Sequence, residues 1–408
     1  MIVKDKIIVQ ELAKRYMSLV CTQKQESMLR RFRDTNDLKL VRPPVILAEI
    51  PWYQMNMNGE LTCVCEEQGA REVELYFRNA IFYMMHFKAD NLFLPFFPVK
   101  RAVASTGIGI SAVTANLKRT DDTNRIVSRE FEDVLEDESA LEQMHDPEFA
   151  LCPDKDAERM AFYTELLGDA IPIKLCGFDC FYFAPWDKIT SLRGVEPIML
   201  DMYDRPEYLH EIIKKFVSAA HAELDFVERN LDVTPSLSLH RTPSPVSGLA
   251  NEGLKATWCR SMAQSFGIIS PSMFQELEID YLHSVANRFA YTYYGCCEPL
   301  DDKIDVLKKI SNLRKIGCSP WANVEKCAEQ IRGDYVLSRK PNPANVAICT
   351  DPEVIKRETE ETVKACIKYG CPYDIVLKDI STVSNRPENL IVWAQTVSDV
   401  LDKYYDEA

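Results

Sequence analysis

The chain lacks an excess of basic residues, a long apolar run and a secretion signal. It has 408 residues, of which 46% are hydrophobic, and its formal net charge is −14. So acidic a chain binds phosphate backbones poorly, and we expect no nucleic-acid partner. No stretch reaches the roughly 18 consecutive apolar residues of a membrane helix, and the N-terminus lacks a signal-peptide pattern. We therefore expect a cytoplasmic protein without a membrane partner.

Two further patterns are missing. The 14 cysteines are dispersed without a fixed spacing, so reduced thiols are expected and not a disulfide framework. The segment TGIGISAV at 106–113 contains Gly-x-Gly, but it lacks the strand–turn–helix context of a phosphate-binding loop. No dinucleotide site is therefore predicted.

Short apolar runs alternate with amphipathic helical segments through most of the chain. Eight such runs are typical of buried parallel strands: 43–49, 91–99, 171–178, 235–240, 289–297, 313–321, 334–343 and 373–382. Ser270-Pro271 and Asp351-Pro352 are signals for helix starts. Eight strand–helix units in series predict an α/β fold, a (β/α)8 TIM barrel, with an open doubly wound sheet as the alternative.

The remaining segments are interpreted as additions to this barrel. Residues 1–40 show helical spacing and are predicted to form an N-terminal helical cap, with the barrel in residues 41–408. Residues 100–150 are polar and acidic and are interpreted as an insertion after the second strand. Residues 241–260 are interpreted as a loop that shapes the substrate site. The aromatic run 178–186 either stacks on a planar substrate or forms a hydrophobic plug.

Polar side chains finish most of the predicted strands. In a parallel barrel these strand ends converge on one mouth, and buried ionisable groups are costly unless they are paired. A cluster of them therefore indicates a functional site. The residues concerned are Glu49, His240, Cys296, Cys297, Glu298, Cys318, Lys340 and Asp379.

Two adjacent cysteines are the most specific feature of this set. Cys296 and Cys297 can both face the mouth only where the backbone turns at a strand end, because side chains alternate along a regular strand. A thiolate of this pair, with Glu298 or His240, would form a reasonable zinc site. In the alternative, Cys296 packs inside the barrel and Cys297 faces the helices.

Glu49, His240 and Asp379 are candidates for proton transfer or metal ligation. The alternatives are structural. Glu49 could pair with Arg42, and Asp379 with Lys340.

Arg339 and Lys378 are interpreted as outward-facing partners of other groups. Trp52 and Tyr293 are aromatic side chains that could line the pocket and contact a cofactor.

Three segments resemble the uroporphyrinogen decarboxylase superfamily, in particular its corrinoid-dependent methyltransferases. They are AQSFGIISPSMFQELEIDYL at 263–282, YYGCCEPL at 293–300, and the C-terminal part that ends in Pro-Glu-Asn-Leu at 387–390. The resemblance covers about residues 40–405 and implies a barrel, a small O-, N- or S-methylated substrate, and a cobalt corrinoid held on a separate protein. It also suggests a homodimer.

The resemblance also implies zinc on a His-x-Cys pair and on a cysteine near the end of the last strand. Cys296 matches the first cysteine, but Tyr294 stands at the histidine position and Asp379 near the last one. A variant zinc site of Cys296 or Cys297 with Glu298, His240 and Asp379 is the corresponding hypothesis.

Porphyrinogen decarboxylation is not expected, because EIPWYQMN at 49–56 replaces the arginine-rich motif that binds substrate carboxylates. A methyltransferase that moves a methyl group between a small substrate and a corrinoid protein is the leading hypothesis. The alternatives are a cofactor-independent decarboxylase or lyase, which would need Lys340, Arg241 and Arg193 at the mouth, and a non-catalytic binding protein.

Overall fold

A computed structural model of the protein describes residues 2–116, 129–233, 245–347 and 351–405. Its strands are short and run mostly parallel. They are β1 (Val45–Leu47), β2 (Phe97–Lys100), β3 (Val103–Ser105), β4 (Thr114–Asn116), β5 (Arg129–Phe131), β6 (Phe149–Leu151), β7 (Ile173–Cys176), β8 (Phe181–Phe183), β9 (Trp258–Ser261), β10 (Tyr291–Tyr294), β11 (Leu313–Cys318), β12 (Val336–Arg339) and β13 (Tyr373–Leu377).

The helices flank these strands. They are α1 (Val3–Val20), α2 (Gln23–Asn36), α3 (Gln68–His86), α4 (Pro153–Leu167), α5 (Pro185–Arg193), α6 (Val195–Asp204), α7 (Pro206–Asn230), α8 (Pro271–Phe274), α9 (Asp280–Ala286), α10 (Ile304–Leu307), α11 (Val324–Ile331), α12 (Ala344–Ala347), α13 (Pro352–Tyr369) and α14 (Glu388–Tyr404). A π-helical turn, Gln275–Ile279, joins α8 to α9. No helix in the described ranges is long and apolar enough to cross a bilayer.

Two helix starts were predicted from Ser-Pro and Asp-Pro pairs, and both are confirmed. The Ser270 hydroxyl accepts the backbone N–H of Met273 at 3.3 Å, and the Asp351 carboxylate accepts that of Glu353 at 2.9 Å. Each cap satisfies an N–H group that the first helical turn leaves without a partner. The proline that follows each cap supplies the fixed φ of the first helical position.

Seven parallel strands form one curled sheet, in the order β1-β13-β12-β11-β10-β9-β8. Helices flank this half-barrel, so the predicted α/β fold with a parallel sheet is confirmed. β2 and β7 pair separately in a parallel two-stranded sheet. Within the described ranges the seven-stranded sheet does not close on itself.

The predicted cap and insertion both contain regular structure. Helices α1 and α2 occupy the N-terminal segment, as its spacing predicted. The segment 100–150 is not simply an irregular polar loop, because it holds two antiparallel pairs, β3 with β6 and β4 with β5, although β6 extends to Leu151.

Three of the strand predictions need correction or stay untested. Phe181–Phe183, interpreted as part of an aromatic plug or platform, is strand β8, and Trp258–Ser261, interpreted as loop, is strand β9. The predicted fourth strand, 235–240, lies outside the described residues. The chain before it is anchored to the sheet region by an isolated parallel bridge between Phe178 and Val233.

The two faces of the curled sheet differ in chemistry. The outer face contributes Ile316, Leu337 and Ile375 to the large core shared with the helices. The inner face carries Tyr293, Lys315 and other polar side chains that contact one another. Because side chains alternate along a strand, each short strand supplies both faces, and the ionisable groups meet inside the half-barrel.

Candidate active site

The turn after β10 brings two adjacent cysteines to the ends of the parallel strands. Gly295 has φ +97°, and a Cβ atom at this position would lie 2.4 Å from Leu300 Cδ1. Arg260 fixes the same turn by donating from Nη2 to the Gly295 carbonyl oxygen at 2.6 Å. The left-handed turn ends the alternation of the strand, so Cys296 and Cys297 both leave its regular path.

The two thiols contact each other and an ion pair between the buried Lys378 and the half-exposed Asp379. The Sγ atoms of Cys296 and Cys297 are 3.7 Å apart. Lys378 Nζ lies 3.0 Å from the Cys297 sulfur and also pairs with the Asp379 carboxylate. Asp379 Oδ2 lies 3.2 Å from the Cys297 sulfur, so the single thiol proton of Cys297 can point either to this carboxylate or to the Cys296 sulfur. Four side chains from two strand ends therefore form one cluster, which we call the Cys–Lys cluster: Cys296, Cys297, Lys378 and Asp379.

The pKa of the first thiol in this cluster is low. The hydrogen bond from Cys297 and the charges of Arg260 and Lys378 together lower the pKa of Cys296 to about 5 despite burial. The hydrogen bond to Cys296, burial and the charge of the Cys296 thiolate raise the pKa of Cys297, because a second thiolate beside the first is unfavourable. The pair therefore loses one proton as a unit at low pH and holds the second.

Glu49 and Asp379 meet at the edge of this cluster. Both have left-handed backbones, with φ of +55° and +57°, which non-glycine residues seldom adopt. Glu49 Oε2 accepts the backbone N–H of Asp379 at 3.0 Å. Partial burial raises the pKa of Glu49, while the ammonium of Lys378 outweighs partial burial and lowers that of Asp379. The pKa values of the two carboxyls are therefore shifted in opposite directions.

A cavity of about 500 Å³ opens beside the Cys–Lys cluster. Such a volume suits a small organic ligand. Its wall combines the cluster with apolar and amide groups from the loops after β11, β12 and β13: Cys296, Cys297, Pro320, Trp321, Lys340, Pro341, Asn342, Pro343, Ala344, Ala347, Lys378, Asp379, Ser381 and Thr382. Trp321 is 72% exposed and marks the rim. Strand ends of a parallel sheet thus meet at one ligand-sized space, as such sheets commonly arrange their sites.

Three cations surround the ring of Tyr293 beneath the cavity. The Arg260 guanidinium carbon lies 3.7 Å from the ring centroid, and the ammonium groups of Lys340 and Lys315 lie 5.1 and 5.7 Å from it. The electron-rich ring face stabilises such charges. Arg260 otherwise donates to the carbonyl oxygens of Ser261, Tyr293 and Gly295.

Asp374 is the carboxylate that accepts hydrogen bonds within this buried layer. Asp374 Oδ2 accepts from Lys315 at 2.6 Å, and its Oδ1 accepts from the Ser338 hydroxyl at 2.5 Å. Ser338 in turn accepts from Tyr293 at 2.9 Å and from Lys340 at 2.5 Å. A continuous hydrogen-bond chain therefore leads from the cavity wall at Lys340 down to Asp374.

Two glutamates are buried close to the cluster. Glu298 accepts the Cys296 backbone N–H on Oε2 at 2.9 Å, and burial raises its pKa to about 7. Its other oxygen, Oε1, has no hydrogen-bond partner within the part of the chain that the structure describes. Glu278, in the π-helical turn, accepts from the Tyr294 and Ser261 hydroxyls, and burial raises its pKa to about 8.

The described residues do not by themselves fit the predicted zinc site. No group of three His, Cys, Asp or Glu side chains able to hold a metal occurs among them. Lys378 Nζ occupies a position 3.0 Å from the Cys297 sulfur and supplies the positive charge there. Glu298 turns its carboxylate to a backbone N–H, and His240 lies outside the described residues. Zinc stays a prediction, and the proposed reaction does not depend on it.

The aromatic residues predicted to contact a cofactor do not line the cavity. Tyr293 lies beneath it, 1% exposed, and Trp52 packs edge-on against Phe82 at 6.1 Å. The aromatic segment 178–186 contributes nothing to the cavity wall either, so it does not plug this site.

The alternative salt bridge of Asp379 with Lys340 does not form, because Asp379 pairs with Lys378. Arg42 pairs with Asp90 and Asp402. Of the cations that a decarboxylase would need, Lys340 lines the cavity, whereas Arg193 pairs with Asp201 at 2.9 Å. Arg241 lies outside the described residues.

Lys378 and Arg260 are the residues whose importance the sequence interpretation missed. Lys378 was interpreted as outward-facing, which is wrong, because it lines the cavity with only 4% exposure. The sequence did carry a signal for this orientation. Lys378 follows Val376 by two residues and Asp374 by four, and side chains two residues apart along a strand lie on the same face. Arg339 does face outward, where it pairs with Glu358, and Cys318 is buried beside it.

Comparison with known proteins gives no family assignment. No family model and no curated protein sequence matches the chain. Seventeen chains of solved structures match. One of them, titled "methyltransferase from Methanosarcina mazei", shares 11% sequence identity with a TM-score of 0.48, over 92% of this chain and 98% of that one.

Proposed function

We propose that the protein is a methyltransferase that moves a methyl group between a small O-, N- or S-methylated substrate and a corrinoid protein. The observation that carries the proposal is the Cys–Lys cluster in the wall of a ligand-sized cavity at the strand ends. The resemblance of 263–282 and 293–300 to corrinoid-dependent methyltransferases supplies the reaction class.

The cavity fits the methylated substrate and leaves the corrinoid outside. A volume of about 500 Å³ suits a small molecule. A corrin ring is too large to enter it and would have to approach at the rim, where Trp321 is exposed. When bound there on its partner protein, a reduced corrinoid supplies the nucleophile that accepts the methyl group.

The cluster would assist departure of the heteroatom. The bond between the methyl carbon and the heteroatom breaks, the methyl group passes to the acceptor, and the heteroatom leaves with the electron pair. Lys378 donates to Cys297 and Asp379, and its ammonium in the cavity wall stabilises the negative charge that develops on the heteroatom.

The test is methyl transfer to free cob(I)alamin from a panel of methyl ethers, methylamines and methyl thioethers, followed by the absorption change on methylation. We expect at least one donor to react. Lys378→Met should reduce the rate roughly 100-fold or more, whereas Cys152→Ser, which removes a thiol outside the cavity, should leave it unchanged. A panel without any reactive donor, or an unaffected Lys378→Met variant, contradicts the proposal.

A cofactor-independent decarboxylase or lyase of a small carboxylic acid is the second candidate. The buried Lys340 ammonium in the cavity wall favours it. Release of CO₂ from a candidate acid in the absence of any corrinoid would support this function and would argue against methyl transfer.

A further inference from the structure

Lys340 carries a buried positive charge at the cavity that none of the described carboxylates contacts. The residue is 1% exposed, and its ammonium donates to the Tyr293 hydroxyl and to the carbonyl and hydroxyl oxygens of Ser338. Within the described ranges no acidic side chain lies within ion-pair distance of it. The other ammonium in the wall, Lys378, is by contrast paired with Asp379. A buried charge without a counter-ion is costly unless something compensates it.

The surrounding layer offers this charge oxygen acceptors and the Tyr293 ring, but among the described residues it offers no carboxylate of its own. Arg260 and Lys315 add two cations below the cavity, and Asp374 adds one carboxylate, which Lys315 already occupies. The layer around the Tyr293 ring therefore holds three described cations and one hydrogen-bonded carboxylate. The chain as a whole carries a net charge of −14, so this cationic layer is a local feature and not a consequence of composition.

A second donor faces the same space. Asn342 lines the cavity, and its Oδ1 accepts the backbone N–H of Ala344 at 3.0 Å. That contact fixes the orientation of the amide and directs its NH₂ group away from the backbone. Among the described residues the NH₂ group has no acceptor, so it can donate to a ligand.

The rest of the wall is suited to an uncharged body. Pro320, Pro341 and Pro343 line the cavity beside Ala344, and Trp321 closes the rim. Rigid apolar walls with a few placed polar groups bind a molecule that has one polar end.

We propose that Lys340 and Asn342 form a carboxylate subsite, so that the substrate is a small methylated carboxylic acid with an apolar body. The carboxylate replaces a Ser338 oxygen as an acceptor of the Lys340 ammonium and accepts from the Asn342 amide. The opposite end of the molecule then lies toward Lys378 and Cys297. This proposal rests on the proposed function in one respect only: both take the cavity to be the substrate site.

Calorimetric titration with matched acids and amides tests the subsite. The probes are 3-methoxybenzoate against 3-methoxybenzamide, and methoxyacetate against methoxyacetamide, each without any corrinoid. We expect the acids to bind at least about tenfold more tightly than their amides, as a charge-assisted hydrogen bond in a desolvated site does. Equal affinities for acid and amide would overturn the proposal.

Variants of Lys340 and Asn342 test whether the preference for acids over amides arises at the proposed subsite. Lys340→Met should bring each acid to within about twofold of its amide, and Asn342→Leu should weaken the acid alone. Lys303→Met removes another buried ammonium, which does not line the cavity and is paired with Asp302, and should preserve the tenfold preference. If Lys340→Met does not fold, Lys340→Gln and Asn342→Leu carry the test. A preference for acids that survives in folded variants of both residues contradicts the subsite.

The outcomes separate the subsite from the methyl-transfer proposal. Tight binding of acids without methyl transfer to cob(I)alamin supports the subsite and contradicts the proposed function. Methyl transfer from uncharged donors alone, without a preference for acids in binding, supports the function and contradicts the subsite.

Discussion

Removal of the Lys378 ammonium should raise the pKa of the cysteine pair. The ammonium lies 3.0 Å from the Cys297 sulfur, and burial leaves it little solvent. Two charges about 4 Å apart interact by about 4 kcal/mol at an effective dielectric constant near 20. Because Cys297 is partly exposed, we discount this to about 2–3 kcal/mol, which corresponds to roughly two pKa units. The positive charge of Arg260 and the hydrogen bond between the thiols remain in Lys378→Met.

The assay is the rate of alkylation by iodoacetamide between pH 4 and pH 9, with the modified peptide identified by mass spectrometry. Only the thiolate reacts, so the rate rises with pH through the folded-state pKa. In the wild type the midpoint for Cys296 should lie near pH 5, and in Lys378→Met near pH 7. Lys378→Arg should stay close to the wild type, because it retains the charge.

The reasoning is refuted if the wild-type midpoint lies at the value of an ordinary thiol, 9.0. It is also refuted if Lys378→Met and wild type share one midpoint. Lys303→Met serves as the control for a general effect of losing a buried ammonium and should leave the midpoint unchanged.

Three further predictions concern stability. Burial raises the pKa of Glu278 to about 8, above its unfolded value, so the folded state favours the protonated form and the free energy of unfolding falls as pH rises from about 4.5 to 8. Glu278→Gln should therefore be more stable than wild type at pH 9 by roughly 2–4 kcal/mol and similar to it at pH 5, as measured by urea denaturation; a constant difference across this range would contradict the assignment. Gly295→Ala should lower the free energy of unfolding by about 2–4 kcal/mol, because the backbone has a left-handed φ and the new Cβ would clash. Gly107→Ala is the control: it has open space around it and should cost about 1 kcal/mol. Equal losses of melting temperature in the two variants would refute this prediction. Lys315→Met leaves the Asp374 carboxylate buried without its ammonium and should lower the free energy of unfolding by about 3–5 kcal/mol. The double variant Lys315→Met with Asp374→Leu should regain part of this loss. A double variant as unstable as the single one would count against this prediction.

The sequence predicted best those strands whose outer face is apolar, as at Ile316, Leu337 and Ile375. Leu313–Cys318, Val336–Arg339 and Tyr373–Leu377 all lie within predicted runs. Trp258–Ser261 was missed because its inner face carries Arg260, which makes the four-residue strand look polar. A polar barrel interior hides a strand from a reading based on apolar runs.

The site was predicted in outline, and its pairings were not. Glu49, Cys296, Cys297 and Asp379 follow the ends of β1, β10 and β13 and lie close together, as the convergence of parallel strands indicates. The role of Lys378 depended on the left-handed backbone at Asp379, which lets two consecutive side chains reach the same cluster. Such a φ value follows from tertiary packing and leaves no pattern in the sequence.

The most direct test of the central claim is single-turnover transfer of a deuterated methyl group from 3-methoxybenzoate to cob(I)alamin, measured by mass spectrometry in wild type and in Lys378→Met. The account predicts labelled methylcobalamin with wild type and a rate at least about 100-fold lower with the variant. Transfer at equal rates by the two proteins, or label that never leaves the substrate, would contradict the assignment of the Cys–Lys cluster as the reaction centre.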